Sequence, residues 1–154
     1  MLPAIFPLIL VACSSAAFTL ANLPTHFEEI TVVRDRVYGP NSSHLLDLCT
    51  SVQKPSQPRE VIVFFSGGRW TEGTQNDYRF VGATLADRGY LVVIPDYRKN
   101  PDIHFPTVVK DPARAADGAQ NHLTEWHGEP LRIHVVRHSA GAPIGWSDAP
   151  ADAY

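Results

Sequence analysis

The sequence Ile133-His134-Val135-Val136-Arg137-His138-Ser139-Ala140-Gly141-Ala142 passes from an apolar run directly into a serine followed by small residues. This pattern predicts a strand, a sharp turn and the start of a helix. A serine in such a turn stands above the end of a sheet with its hydroxyl exposed, and the next backbone N–H is free to bind an oxyanion. We therefore expect Ser139 to be a nucleophile. The competing interpretation is that Ser139 only caps the following helix.

The composition is that of one ordinary globular domain, since the 154 residues are 44% hydrophobic and 19% charged. The formal net charge is −3 without a run of like charges, so we expect no nucleic-acid partner. No cysteine spacing fits a zinc site, and His122 and His127 are not at the spacing of a helical metal pair. The sequence therefore predicts no metal and no other cofactor.

The N-terminal segment predicts an export signal over residues 1–23, ahead of a domain over residues 24–154. No charged side chain occurs between Leu2 and Leu23, and the most apolar part has the length of a signal's hydrophobic region. A membrane-spanning helix is the alternative, because the uncharged stretch is about long enough to cross a bilayer. Prolines and hydroxyl residues within it favour the signal. We expect an exported protein of the bacterial cell envelope, periplasmic or membrane-anchored, or a secreted protein.

Cys13 stands in Leu10-Val11-Ala12-Cys13, which resembles the lipobox of bacterial lipoproteins. The resemblance implies that Cys13 is lipidated, becomes the mature N-terminus and anchors the protein to a membrane. No Lys or Arg precedes the apolar run, so cleavage after Ala17 or Ala21 stays open. Either outcome leaves Cys49 without an intrachain disulfide partner, and its place in a strand-like run predicts a buried apolar role.

The rest of the chain alternates strand and helix patterns. Strands are predicted at residues 31–38, 45–49, 61–65, 91–94 and 133–136, and helices at 77–88 and 107–126. We expect Gly89 to follow the first helix, the main part of the second helix to begin at Pro112, and Gly128 with Pro130 to end it. Strands separated by helices predict an α/β fold, in which an antiparallel hairpin precedes a parallel sheet with helices on its faces.

A second loop that could take part in catalysis follows the predicted central strand. In Phe65-Ser66-Gly67-Gly68-Arg69-Trp70, paired glycines let the backbone turn sharply and bring N–H groups close to a bound oxygen. An ordinary tight turn is the alternative. This loop and the serine turn both lie at the carboxyl ends of neighbouring predicted strands, where open α/β sheets bind their ligands. The two loops are therefore expected to form one site.

Several motifs occur in an order that resembles the α/β-hydrolase fold, and bacterial carboxylesterases and feruloyl-esterase-like hydrolases most of all. The resemblance extends from about Val32 to Ile144. The motifs are Phe64-Phe65-Ser66-Gly67-Gly68-Arg69-Trp70, Asp77-Tyr78-Arg79-Phe80-Val81-Gly82, Gly89-Tyr90, Pro95-Asp96-Tyr97-Arg98, Phe105-Pro106, Asp111 and His138-Ser139-Ala140-Gly141-Ala142.

This resemblance implies a serine carboxylesterase acting on small-molecule esters. By position, Ser139 is the nucleophile and the backbone N–H of Ala140 is one oxyanion donor. N–H groups within Gly67, Gly68 and Arg69 supply the other. The Pro95-Asp96-Tyr97-Arg98 motif is structural in this family, and Asp96 and Arg98 are implied to be partners that hold the loop.

Three departures from the family pattern reduce the activity expected of these 154 residues. Ser66 occupies a position that is often histidine, and Arg137 replaces a glycine beside the nucleophile. In this fold an acidic residue and then a histidine follow the serine, whereas only fifteen residues follow Ser139 and none is histidine. We expect little or no turnover, in a chain that is the N-terminal portion of a hydrolase cut short or shifted in frame.

The alternative function is a non-catalytic exported protein that uses the hydrolase half-fold for binding or anchoring. A sheet that ends at the serine strand leaves an unpaired edge and an apolar face. We therefore expect the exposed edge to favour self-association or a partner.

Overall fold

A computed structural model gives the structure of the chain and describes residues 16–23, 29–68, 71–102 and 110–138. Its strands are β1 (Ile30–Val37), β2 (Leu45–Ser51), β3 (Arg59–Phe65), β4 (Leu91–Pro95) and β5 (Gly128–Arg137). Its α-helices are α1 (residues 16–22), α2 (Arg79–Asp87) and α3 (Lys110–His122). Short 3-10 turns at Gln75–Tyr78 and Leu123–Trp126 adjoin α2 and α3.

The described strands form one mixed sheet in the order β1-β2-β4-β3-β5. β1 pairs with β2 and β2 pairs with β4 in antiparallel fashion, whereas β3 pairs in parallel with both β4 and β5. This arrangement confirms the prediction of a hairpin followed by a parallel sheet. It makes β3 and β5 direct neighbours, with their carboxyl ends at the same edge.

Side chains of β3 alternate between two apolar layers because successive residues of a strand point to opposite faces. Val61, Val63 and Phe65 pack on the α3 side, with Ala115, Ala119 and Leu123. Ile62 and Phe64 pack on the α2 side, with Tyr78 and Ala86. Both faces of the central strands are thus covered, which explains why these strands read as continuous apolar runs.

The helix ends follow local chemistry that the sequence partly predicts. Gly89 has a φ of 94° and follows α2, which confirms its predicted place after that helix. The prediction for α3 is less accurate, since the helix already includes Lys110 and Pro112 is its third residue. Proline is tolerated there because the first turn of a helix leaves its N–H groups without intrahelical acceptors.

The start of β5 is the largest error among the predicted elements. Gly128 and Pro130 were expected to end the preceding helix, whereas both lie within the strand. Pro130 is tolerated because the β3–β5 register shifts between Arg59 and Val61, so the strand is irregular where proline donates no hydrogen bond.

The outer edge of β5 has no partner strand among the described residues, as the sequence predicts. Leu131 is 92% exposed and Val136 is 39% exposed. Exposed apolar side chains on an unpaired strand are consistent with a surface that other chain segments cover. Self-association through this edge stays a prediction.

The helix α1 lies within the predicted export signal and packs against the domain. The Phe18 ring is 5.2 Å from the Tyr78 ring. The Asn22 side chain accepts a hydrogen bond from the Phe80 N–H at 2.8 Å and donates one to the Asp77 carbonyl at 3.0 Å. These contacts join residues 16–22 to the start of α2, and the predicted boundary at residue 23 stays a prediction. Among the described residues, no helix has the length and hydropathy needed to cross a membrane.

Cys49 lies on β2 and is fully buried against α2, so it has the apolar role that the sequence predicts. Burial raises the pKa of its thiol to about 12, and only a thiolate reacts readily with alkylating agents. We expect iodoacetamide at pH 8 to leave Cys49 unmodified in the folded chain and to modify it rapidly in denaturant. Peptide mass mapping separates Cys49 from Cys13. Complete native modification of Cys49 within minutes would contradict this packing.

Candidate active site

The glycine loop begins where β3 ends, and its first residues are buried. Ser66 and Gly67 continue the buried run of β3. At Gly68 the backbone turns with a φ of 139°, a conformation that side chains oppose. Its carbonyl then accepts hydrogen bonds from the backbone N–H groups of Thr71 at 3.0 Å and Glu72 at 2.9 Å. These two hydrogen bonds hold Gly68 against Thr71 and Glu72.

The chain leaves this turn through a capped helix start. The Asp77 carboxylate accepts hydrogen bonds from the backbone N–H of Thr74 at 2.8 Å and from its hydroxyl at 3.2 Å. This reciprocal cap fixes the first turn of the helical segment that carries Tyr78. The side chain of Tyr78 is thereby directed at the carboxyl ends of the strands.

The strand β5 ends beside the carboxyl end of β3. Phe65 of β3 is in register with Arg137 of β5. The His138 backbone N–H continues the pairing by donating to the Phe65 carbonyl at 3.1 Å. His138, the last described residue before Ser139, is therefore fixed against Phe65, which directly precedes the glycine loop.

Some of the predicted site residues lie within the described regions and others lie outside them. Gly67 and Gly68 are described, and they lie at the end of β3 beside His138. Ser139, Ala140, Arg69 and Cys13 lie outside the described residues. The roles assigned to these residues stay predictions.

Arg137, the residue that departs from glycine in the related hydrolases, ends β5 with its side chain partly exposed. Its backbone keeps the strand register with Phe65. The long side chain therefore does not disturb the strand as far as the last described residue.

A buried carboxylate holds the loop that follows β4. Asp111 of α3 is fully buried and accepts hydrogen bonds from the Arg98 side chain, one to each carboxylate oxygen, both at 2.8 Å. The Arg98 backbone N–H adds a third at 3.2 Å. Asp96 instead pairs with Lys99. Asp96 and Arg98 both hold this loop, as implied, but each acts through a different partner.

His44, which is distant in sequence, joins Asp111 and Arg98 in a buried polar cluster. It is 1% exposed, and its Nε2 lies 3.1 Å from Asp111 Oδ1. Its Nδ1 accepts a hydrogen bond from the Asn41 backbone N–H at 3.2 Å, and its ring stacks on Tyr38. Burial by itself would raise the pKa of Asp111, but the hydrogen bonds from Arg98 and His44 outweigh it and hold that pKa below its ordinary value.

Two tyrosine hydroxyls reach the site, and the sequence assigned neither of them a role. Tyr97 is 1% exposed and donates to the Ser66 carbonyl at 2.8 Å. The Tyr78 hydroxyl lies 3.2 Å from His138 Nδ1. Burial raises the pKa of both phenols, that of Tyr97 to about 12, so both remain neutral and able to donate at neutral pH. A tyrosine within each of two recognised motifs is the signal that could have suggested them.

The described parts of the chain contain no group of three or more His, Cys, Asp or Glu side chains placed to hold a metal ion. The site described so far offers backbone donors, two neutral phenols and the approach to a serine. Backbone N–H groups at such a loop suit the stabilisation of a developing oxyanion in acyl transfer.

Residues 46–146 match the model of the BD-FAE family. Curated relatives include a probable isoprenylcysteine alpha-carbonyl methylesterase, ICMEL1, from Arabidopsis thaliana. It is 34% identical over 113 residues, which are 73% of this chain and 24% of the relative. Esterase LipC from Mycobacterium tuberculosis is 31% identical over 115 residues, covering 73% of this chain and 28% of that protein.

Solved structures with the same fold include a bacterial heroin esterase, with a TM-score of 0.74 and 23% identity. The match covers 86% of this chain and 43% of that structure. Esterase B from Lactobacillus Rhamnosis, inhibited by a tributyrin phosphonate, has a TM-score of 0.69 and 21% identity. Here 92% of this chain and 48% of that structure are covered. These likenesses confirm that the sheet and its helices correspond to the N-terminal part of the α/β-hydrolase fold.

The chain spans about a quarter of the length of these curated relatives and less than half the length of these solved structures. The matched part contains the strands that carry the glycine loop and the serine turn.

Proposed function

The chain belongs to the BD-FAE family, and from that premise we propose that it carries the nucleophile and oxyanion part of a serine carboxylesterase site. One observation supports this proposal most. The pairing of β3 with β5 fixes the residue before Ser139 against the residue before the glycine loop, through the His138 N–H on the Phe65 carbonyl at 3.1 Å. This contact supports a site in which the two loops, distant in sequence, bind one substrate carbonyl.

In this proposal the Ser139 hydroxyl attacks the carbonyl carbon of an ester and loses its proton to a base. Backbone N–H groups of the glycine loop and of Ala140 stabilise the oxyanion of the tetrahedral intermediate. The intermediate collapses with loss of the alcohol, which takes up a proton, and an acyl-serine remains. Water then cleaves the acyl-serine by the same steps and releases the carboxylic acid.

In this fold the general base is a histidine that follows the serine in the chain. Within residues 1–154, no histidine follows Ser139. His138 adjoins the serine in sequence, but its Nδ1 faces the Tyr78 hydroxyl at 3.2 Å. We assign His138 a positioning role in this proposal, because successive residues at a sharp turn diverge and its ring is expected to point away from the Ser139 hydroxyl. We therefore propose that these 154 residues form an acyl-transfer site of very low turnover.

The test uses the 154-residue chain with a fluorophosphonate probe and p-nitrophenyl butyrate. We expect slow covalent labelling at Ser139, and a kcat of about 10⁻³ s⁻¹ or lower, because loss of the triad base typically costs about 10⁴- to 10⁶-fold from an ordinary kcat of about 10 s⁻¹. Ser139→Ala should abolish the labelling and Ser147→Ala should preserve it. Mass spectrometry identifies the labelled residue.

Two results would contradict the proposal in different ways. Turnover of several molecules per second that depends on Ser139 would show that a base is present within the 154 residues. Labelling confined to another residue in a folded chain would remove Ser139 as nucleophile. A folded chain with no labelling at all would favour the non-catalytic binding function.

A further inference from the structure

The peptide group between Ser66 and Gly67 is the first of the glycine loop, and one of its atoms is held by a buried hydroxyl. Tyr97 donates to the Ser66 carbonyl at 2.8 Å, and both residues are almost completely buried. Because a peptide group is planar and trans, its N–H points opposite to its carbonyl. The Tyr97 hydroxyl therefore fixes the direction of the Gly67 N–H as well.

The backbone of Tyr97 is held by side chains of the loop that follows β4. Its backbone N–H donates to Asp96 Oδ1 at 2.9 Å, and its carbonyl accepts from Lys99 Nζ at 3.0 Å. The next residue, Arg98, is bound through its side chain and its backbone to the buried Asp111. The segment that carries the Tyr97 hydroxyl is thus anchored to the buried Asp111.

Tyr78 approaches the same strand ends from the opposite face of the sheet. Its ring packs in the α2-side layer, 5.5 Å from the Phe64 ring, whereas Tyr97 belongs to the α3-side layer. Its hydroxyl lies 3.2 Å from His138 Nδ1, and its ring lies 5.8 Å from the His138 ring. Tyr78 therefore contacts the residue that precedes Ser139.

We propose that Tyr97 and Tyr78 are positioning residues: the Tyr97 hydroxyl holds the start of the glycine loop from one face of the sheet, and the Tyr78 hydroxyl holds His138, the residue before Ser139, from the other. Their contacts meet the requirement that reacting groups be held within about an ångström of the productive geometry. The proposal rests on the proposed function for its catalytic meaning, while the geometry that it assigns is measurable without turnover.

The test compares Tyr97→Phe and Tyr78→Phe with Tyr90→Phe in the 154-residue chain. Each change removes a single hydroxyl and keeps the ring. Tyr90 is the matched control because it is half-buried against the same α2-side layer as Tyr78. Thermal unfolding establishes that each variant is folded.

The primary readout is nuclear magnetic resonance of the two loops. In Tyr97→Phe we expect the Gly67 amide proton to exchange about tenfold faster, because the hydrogen bond that fixes its peptide group is lost. In Tyr78→Phe we expect the ¹⁵N resonance of His138 Nδ1 to move. Tyr90→Phe should change neither signal. Unchanged Gly67 exchange in folded Tyr97→Phe, or an unchanged His138 resonance in folded Tyr78→Phe, would overturn the proposal; if Tyr97→Phe does not fold, the His138 resonance decides it.

A second readout separates this proposal from the proposed function. We expect the rate of fluorophosphonate labelling at Ser139 to fall about tenfold in both variants and to stay within twofold in Tyr90→Phe. No labelling of any chain, with the resonance changes present, would contradict the proposed function while the positioning role stands. Normal labelling in variants whose loops have changed would contradict the role of the tyrosines in the reaction.

Discussion

Replacement of Asp111 with alanine is expected to lower the free energy of unfolding by about 3–5 kcal/mol, the range typical of removing one partner from a buried ion pair. The substitution leaves the buried His44 ring and the partly buried Arg98 guanidinium without their common acceptor. It also removes the acceptor of the Arg98 backbone N–H. Four nitrogen donors from two distant segments, three of Arg98 and one of His44, therefore lose their partner at once.

The matched control is Asp117→Ala, which removes an exposed carboxylate from the same helix. We expect it to change the free energy of unfolding by no more than about 0.5 kcal/mol. Asp111→Asn keeps the shape and loses the charge, so an intermediate loss of about 1.5–3 kcal/mol is expected. Urea unfolding measures all three. A loss below 1 kcal/mol for Asp111→Ala would show that the cluster does not support the fold.

The same carboxylate gives a pH dependence of defined sign. The pKa of Asp111 is held below its ordinary value in the folded chain, so the unfolded chain binds the proton more readily. Its stabilising contribution is then fully present above the unfolded pKa of about 3.9 and is lost as the pH falls through the folded pKa. The stability of the unmodified chain should therefore decline more steeply than that of Asp111→Asn as the pH falls below about 4.

The elements predicted well from the sequence are those whose signal is local. A continuous apolar run such as residues 61–65 indicates a strand covered on both faces, and Gly89 marks a helix end because its backbone must adopt a positive φ. The start of β5 was missed because Pro130 is a strong local signal against a strand. The register shift that tolerates it depends on the pairing with β3, which lies far away in sequence.

The site shows the same division. Strand order and loop position predict that the glycine loop meets the serine turn, because both follow parallel strands. The side-chain contacts that hold the neighbouring segments in place could not be predicted. His44 and Asp111 are 67 positions apart, and the Tyr97 hydroxyl finds a backbone carbonyl 31 positions away. A carbonyl has no sequence signature, so only the folded chain shows which hydroxyl it accepts.

Replacement of Gly68 with alanine is expected to have the largest effect on the site itself. Gly68 has a φ of 139°, and an added Cβ would overlap the carbonyl of Glu72, with its carbon 2.5 Å away and the Gly73 nitrogen at 3.1 Å. These neighbours are backbone atoms, so the turn can make room only by opening. Opening removes the hydrogen bonds that Thr71 and Glu72 donate to the Gly68 carbonyl.

We expect Gly68→Ala to reduce the rate of fluorophosphonate labelling at Ser139 about a hundredfold, the effect typical of losing one oxyanion donor or misplacing a reacting group by about 1 Å. The free energy of unfolding should fall by about 3 kcal/mol, since strain at a glycine-only φ alone costs about 1–3 kcal/mol. Urea unfolding and labelling kinetics measure the two effects separately.

The matched control is Gly89→Ala, because Gly89 also has a positive φ, of 94°, but no heavy atom lies within 4 Å of its added Cβ. It should cost about 1–2 kcal/mol of stability from the backbone conformation alone and leave the labelling rate within twofold. The difference between the two variants isolates the collision in the glycine loop. Equal labelling rates in Gly68→Ala and Gly89→Ala would mean that the loop does not bind the oxyanion, and Ser139 would then need its stabilising donors from elsewhere.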